Sequence, residues 1–242
     1  MTERVRIDRL LVERGLFESR AKAQAAIAAG RVTANRLVVS KPSQEVLADA
    51  VLGATPEQHW VSRGGDKLVA ALDHFHFDPA GQVCLDVGAS TGGFTEVLLA
   101  RGARLVYAID VGRGQLHPRL RGRSEVISWE GTDIRAVDPA QLCPSPQFAV
   151  IDVSFISLKL VLPAAAKLLQ SPARLIALIK PPFEAGRQNV KKGIVRDPDI
   201  HRAVCSDIAV LAQSLGFEVA GTMASPILGG DGNREFFLAA YT

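Results

Sequence analysis

Residues 82–99 read QVCLDVGASTGGFTEVLL. An apolar run from Val83 to Val87 carries a single acid, Asp86, and breaks at Gly88; the hydroxyl residues Ser90 and Thr91 precede Gly92 and Gly93, and from Phe94 the apolar residues recur at helical spacing. A strand that turns over glycines into a helix brings backbone close to a ligand at the carboxyl end of a parallel sheet. The chain around this turn has the matching pattern. Beyond Trp60, the runs VCLDV, RLVYAID, EVISW, FAVIDVS, RLIALIK, FEVAG and EFFLAAY alternate with helical stretches, which predicts an α/β domain whose parallel sheet is covered on both faces. The last two runs are separated only by MASPILGGDGNR, too short for a helical crossover, so they should form a hairpin with one strand antiparallel to the rest.

Outside this domain the composition shifts. The chain has 242 residues, 48% hydrophobic and 22% charged, with a net charge of +3, enough for one good core and a small second one. The first 41 residues hold nine Arg or Lys against four Asp or Glu, and the remainder is slightly acidic. RIDRLLVERG (residues 6–15) places Ile7, Leu10, Leu11 and Arg14 at helical spacing before Gly15. Ser19 can cap a second, alanine-rich helix that stops at Gly30, and RVTA and LVVS flank Asn35-Arg36, a tight-turn pair. DAVLGATPEQ (residues 49–58) reads as a strand end followed by a linker. The three cysteines, Cys84, Cys143 and Cys205, match no metal spacing and suit a reducing cytoplasm; no metal is expected. No export signal or membrane span is evident.

Residues 6–42, with their RGL and SR elements, the glycine before the first strand and the closing KP, resemble the RNA-binding domain first known from ribosomal protein S-four. That resemblance implies RNA contacts from Arg4, Arg6, Arg14, Arg20, Lys22 and Lys41. Arg36 departs from the usual glycine after Asn35.

Two nucleotide-like cofactors compete for the glycine turn. A dinucleotide site wants G-x-G-x-x-G, but here the order is G-x-x-x-G-G. Asp86 could meet a cationic group, Asp110, 24 residues later at the end of the next strand, suits vicinal ribose hydroxyls, and Asp133 could accept from an adenine amino group. With Gly88, Ser90, Thr91, Gly92, Gly93 and Phe94, this series resembles the S-adenosyl-L-methionine site of Rossmann-like methyltransferases. Each acid also has a plainer reading, Asp133 as a helix cap above all.

Lys67, Asp152, Lys180 and Glu235 stand at or near strand ends or at the domain's start, and a lysine closing an apolar strand asks for a carboxylate such as Asp152 nearby. Their order resembles the Lys-Asp-Lys-Glu tetrad of FtsJ-like ribose 2′-O-methyltransferases. With SRGGDKL, DVGRGQL, DVSFIS and KPPFE, nearly all of residues 6–241 resemble the TlyA family of rRNA 2′-O-methyltransferases, once labelled hemolysins.

That resemblance implies residues 1–55 as the RNA-binding domain, 56–62 as linker and 63–242 as a Rossmann-like class I methyltransferase domain. It implies methylation of a cytidine ribose in large-subunit rRNA, and in small-subunit rRNA for longer members, with ribosomal RNA or subunits as partner. Lys180 would be the base, or would stabilise a developing alkoxide if it stays charged; Lys67 and Glu235 would position the ribose. Arg113, Arg119, Arg121, Arg123, Arg187, Lys191, Lys192 and Arg196 could extend the RNA track, and Trp60 or Phe155 could stack on a flipped base. Pro182 and Gln58 depart from the family pattern in K-P-x-F-E and R-x-W-V. A cytolytic protein, a non-catalytic RNA-binding module and an NAD-dependent oxidoreductase are the rival readings.

Overall fold

A computed structural model describes residues 4–28, 30–54 and 60–242, which divide into two units between His59 and Trp60. Gln58 lies outside the described residues, as does the segment 55–59 to which it belongs. Trp60 to Ser62, expected as the linker's end, belong to the second unit: the Val61 N–H donates to Glu96 Oε2 at 2.6 Å, and Trp60 packs so closely on Gly65 that a Cβ there would meet its ring at 2.3 Å.

In the first unit, β1 (Arg4–Arg6) leads into α1 (Ile7–Glu13), and α2 (Arg20–Ala28) precedes β2 (Val32–Ala34), β3 (Leu37–Val38), β4 (Glu45–Leu47) and β5 (Leu52–Ala54). Ile7, Leu11, Ala23, Ala26 and Ile27 are buried between the two helices and the strands, and the alanines let the helices approach. The expected hairpin forms: β2 pairs antiparallel with β3, and also with β5. Asn35 and Arg36 both take positive φ, 50° and 67°, the conformation of a type I′ turn. Arg36 therefore adopts the backbone that a glycine would take at less cost. Asn35 compensates by bonding Val51 on both sides, its N–H to the Val51 carbonyl at 2.8 Å and its Oδ1 from the Val51 N–H at 2.9 Å. The pair β1 and β4 was not expected, because three residues such as RVR are too few to show periodicity.

Most of the arginines assigned to RNA have partners inside this unit. Asp8 is fully buried and accepts from Arg6 at 3.1 Å, Arg20 at 2.8 Å and Gln24 at 2.9 Å. Arg14 donates to the Ala50 carbonyl at 2.7 Å and to that of Ala48, and Lys22 pairs with Glu18. Arg4 and Lys41 are exposed. The Arg6 guanidinium, helped by Arg20 and Gln24, holds the Asp8 carboxyl well below the usual carboxylate range. Asp8→Ala should lower the stability of this unit by about 1.5–3 kcal/mol, the scale of a hydrogen-bonded charge. Because the folded value is depressed, the stabilisation is present above pH ~4 and fades as the pH falls below it. Amide exchange of residues in α1 and α2 in the full chain, with and without the substitution, measures both effects.

The second unit contains α3 (Gly64–Phe75), β6 (Val83–Val87), α4 (Gly93–Ala100), β7 (Leu105–Asp110), β8 (Val126–Glu130), β9 (Phe148–Ile151), α5 (Leu158–Leu168), β10 (Arg174–Ile179), α6 (Pro181–Glu184), α7 (Pro198–Ser214), β11 (Glu218–Ala224) and β12 (Phe236–Tyr241). The seven strands lie in the order β11-β12-β10-β9-β6-β7-β8, with β12 antiparallel to both neighbours, so the expected hairpin inserts its second strand beside β10. Period-two alternation sends Val83, Leu85 and Val87 of β6 to one face, under α5 and α7, and Cys84 to the other, under α3 and α4. Burial on both faces explains why these strands read as continuous apolar runs, and it pushes the Cys84 thiol up to about 12. The expectation of a helix in every crossover fails twice. Residues 111–125 and 131–147 contain no α-helix, only two 3₁₀ turns in the second segment, and β8 is correspondingly the least buried of the parallel strands.

Candidate active site

Strand order reverses at β6, whose chain neighbour β7 lies on one side and β9 on the other; the carboxyl ends of β6 and β9 therefore open a crevice. Gly88 sits in it at φ 83°, and a Cβ there would stand 2.3 Å from the Asp152 carbonyl oxygen, so only glycine lets the end of β9 pass this close. Gly92 serves differently. At φ 95° it caps α4, and a Cβ on it would strike Leu120 at 2.2 Å and Leu116 at 2.8 Å, so it answers to packing rather than to the crevice it was expected to floor.

Two cavities flank the turn. The larger, about 630 Å³, is bounded by Ile109, Asp110, Val111, Asp133, Ile134 and Phe155, among others; the smaller, about 280 Å³, by Lys67, Thr91, Gly93, Phe94 and Lys180 together with Ser62, Arg63 and Gly64. Gly88, Ser90, Asp152 and Ser154 border both.

The three acids of the expected cofactor series differ in setting. Asp110 accepts from the Ser90 N–H at 2.8 Å and the Gly112 N–H at 2.7 Å, so it ties the glycine turn to the next loop while facing the larger cavity. Asp133 caps the 3₁₀ turn after β8 and takes a bidentate bond from Arg135, which holds its carboxyl below the ordinary range. Asp86 borders neither cavity. It is fully buried, one oxygen accepts from the Thr95 hydroxyl at 2.6 Å, and the other, Oδ1, has no partner.

Burial pushes the Asp86 carboxyl up to about 7, against the Thr95 bond. With the folded value raised, the neutral acid is the stabilising form: its contribution is complete below pH ~4 and is lost as the pH climbs through about 7. Asp86→Asn, which cannot ionise, should therefore gain stability relative to the natural chain across that window, measured by urea denaturation at stepped pH.

The four ionisable residues expected at the centre form two pairs. Lys67 Nζ stands 2.6 Å from Glu235 Oε2, both buried, and Lys180 Nζ stands 2.5 Å from Asp152 Oδ1. Lys67, Lys180 and Asp152 border the smaller cavity, and Glu235 stands behind Lys67, against Gly229, where a Cβ would come within 2.5 Å of its Oε1. Lys180 also donates to Ser154 Oγ at 2.8 Å.

Three residues of this neighbourhood escaped sequence reasoning: Ser154, Glu130 and Glu184. Glu130 accepts from the N–H groups of Gly114, Gln115 and Leu116 at 2.6–2.9 Å and so folds the loop that walls the larger cavity. Glu184 of KPPFE accepts from the Ser157 hydroxyl at 2.6 Å and the Leu158 N–H at 2.8 Å, fixing the start of α5. Only their long-range partners reveal them. Of the aromatics considered for stacking, Trp60 packs into the core, whereas Phe155 is 92% exposed at φ 66°, with the Phe183 ring 5.5 Å away. A bulky residue held in that backbone region is strained, a feature that clusters at functional sites. In the basic track, Arg119 pairs with Glu96 and Arg123 with Glu125. Among the described residues no group of three His, Cys, Asp or Glu side chains is placed to hold a metal, and no helix is long and apolar enough to cross a membrane.

Comparison with known families decides the class. The FtsJ-like methyltransferase model matches residues 60–242, and the S4 domain model matches residues 5–52. The chain belongs to the FtsJ-like methyltransferase family. The 16S/23S rRNA (cytidine-2′-O)-methyltransferase TlyA of Mycobacterium tuberculosis is 44% identical over 241 residues, covering 98% of this chain and 90% of its own length. Hemolysin A of Brachyspira hyodysenteriae is 36% identical over 234 residues, 96% of this chain and 98% of its own. A solved structure from Streptococcus thermophilus, described as a candidate hemolysin, superposes with a TM-score of 0.78 at 42% identity, covering 100% of this chain and 90% of that one. An FtsJ-like domain and an S4 domain thus share one chain, as the opening motifs implied.

Proposed function

We propose that the protein methylates the ribose 2′-hydroxyl of a cytidine in ribosomal RNA, with S-adenosylmethionine as donor. The observation that carries this reading is the Lys180 ammonium, paired with Asp152 beside Ser154, at the border of two cavities over the switch point of the sheet.

The larger cavity suits the donor by its chemistry. Its walls combine apolar Ile109, Val111 and Ile134 with the acids Asp110 and Asp133, and its one basic residue, Arg135, is committed to Asp133. Such a set accepts from amino and vicinal hydroxyl groups and offers no phosphate site, which disfavours a dinucleotide. Asp110 would hold the ribose and Asp133 the adenine. When bound, the donor supplies a methyl group already activated on a sulfonium.

The protein's share is then orientation and one proton. Lys180, once its ammonium has given up one proton to solvent, takes the proton of the sugar hydroxyl, and Asp152 stabilises the ammonium that is restored. Lys67, paired with Glu235, faces the same cavity and stabilises negative charge developing on the sugar oxygen. Phe155 offers an exposed face on which an extruded base can stack. Exposed Arg4 and Lys41, with the free edges of Arg6 and Arg20, supply phosphate contacts. An rRNA acceptor would place this work in the cytoplasm. Labelled donor, incubated with rRNA or subunits from a strain lacking the gene, should transfer label to RNA; label appearing in protein alone would refute the proposal.

A further inference from the structure

Ser154 is absent from the expected tetrad, yet it is the residue that touches the tetrad's reactive nitrogen with directional geometry. Lys180 Nζ is close to two acceptors. Toward Asp152 Oδ1 the contact is an ion pair at 2.5 Å, and that oxygen accepts no aligned hydrogen bond. Toward Ser154 Oγ it is an aligned hydrogen bond at 2.8 Å. Charge attraction is nearly indifferent to rotation about the Cε–Nζ bond, whereas a hydrogen bond weakens steeply off axis. The rotation is therefore held by Ser154.

We infer that Ser154 is a positioning residue that aims the Lys180 nitrogen at the acceptor hydroxyl, an inference that rests on the methyltransferase reading above. Beyond Cε the nitrogen has three directions. The Ser154 bond takes one and so fixes the orientation of all three, and one of the others is left for a group in the cavity that Lys180 borders. Lys180 first gives up one ammonium proton to solvent, and in the resulting neutral amine that direction is the lone pair. The sugar O–H proton passes to it as the new O–C bond forms and the S–C bond breaks; Ser154 neither gains nor loses a proton. Its placement suits this task, since Ser154 is one of four residues shared by both cavities, where donor carbon and acceptor oxygen must meet. Of those four, Gly88 has no side chain, Asp152 supplies charge, and the Ser90 hydroxyl is 3.0 Å from Gln115 Oε1.

The test compares Ser154→Ala with Ser154→Thr, which keeps the hydroxyl. Ser154 is exposed, so neither should change the melting temperature. In Ser154→Ala, kcat should fall about 10- to 100-fold, the equivalent of one hydrogen bond to a charged group, with KM for RNA and calorimetric donor affinity within twofold of the natural chain. Ser154→Thr should recover most of kcat. A second readout needs no turnover: in ¹⁵N spectra of the ligand-free protein, the Lys180 ammonium signal should be visible in the natural and Thr chains and broadened by exchange in Ser154→Ala. Natural kcat together with an unchanged ammonium signal in Ser154→Ala overturns the inference, and so does an equal loss of donor affinity, which would make Ser154 a donor contact. Failure of the natural chain itself to form 2′-O-methyl ribose would instead overturn the methyltransferase reading, and this inference with it.

Discussion

Lys180→Ala should lower the rate of methyl transfer by about 10²- to 10⁴-fold, the range for loss of a positioned proton acceptor. Lys180 contacts both Asp152 and Ser154, two residues that border both cavities, and itself lines the smaller one. The larger cavity, where the donor would bind, does not include Lys180 in its walls. Donor affinity measured by calorimetry should therefore be nearly unchanged, and the whole deficit should appear in kcat. Lys180→Arg should fare little better, because a guanidinium holds its proton throughout the accessible pH range. Single-turnover kinetics on rRNA measure both. A variant with lost donor affinity but normal turnover at saturation would move Lys180 from proton acceptor to binding residue.

The second large effect concerns stability. Glu235→Ala should destabilise the second unit by about 3–5 kcal/mol, since the Lys67 ammonium, with its side chain only 11% exposed, would be left without its carboxylate in a buried site. Removing both charges should do far less harm. A Lys67→Met, Glu235→Leu double variant keeps the volume and relieves both desolvation penalties, so its denaturation midpoint should return close to that of the natural chain. Its methylation should not return, because the charge offered to the sugar oxygen is gone. Urea denaturation beside the methylation assay separates the two roles of this pair: stability recovered without activity supports an electrostatic contribution to the reaction, and activity recovered with stability would make the pair purely structural.

The sheet was legible because its strands are buried on both faces. VCLDV, FAVI and RLIALI are largely apolar runs with their polar residues at or near the ends, so both strand positions and candidate site positions appear in the linear order. The two crossovers without α-helices were not legible, since the residues beside β8 alternate no more clearly than loops do. Charge was the least informative property. Arg6, Arg14 and Arg20 read as an exposed basic track, but a buried Asp8 and two backbone carbonyls already engage them. Asp86 and Asp110 look equivalent on paper; one is sealed beneath the turn and the other faces a cavity. Ser154, Glu130 and Glu184 are anonymous polar residues until folding brings them to partners 14 to 27 positions away. Strand periodicity is a local property, whereas hydrogen-bond partnership is not.

The most direct test is the chemical identity of the product. Ribosomal RNA treated with the protein and labelled donor would be digested to nucleosides and resolved by mass spectrometry, with an alkaline digest in parallel. Convergence of Lys180, Asp152 and Ser154 on a sugar oxygen predicts 2′-O-methylcytidine, and a label retained in an alkali-resistant dinucleotide because the 2′-oxygen is blocked. Label on a nucleobase, or in a nucleotide that alkali still releases, would contradict it.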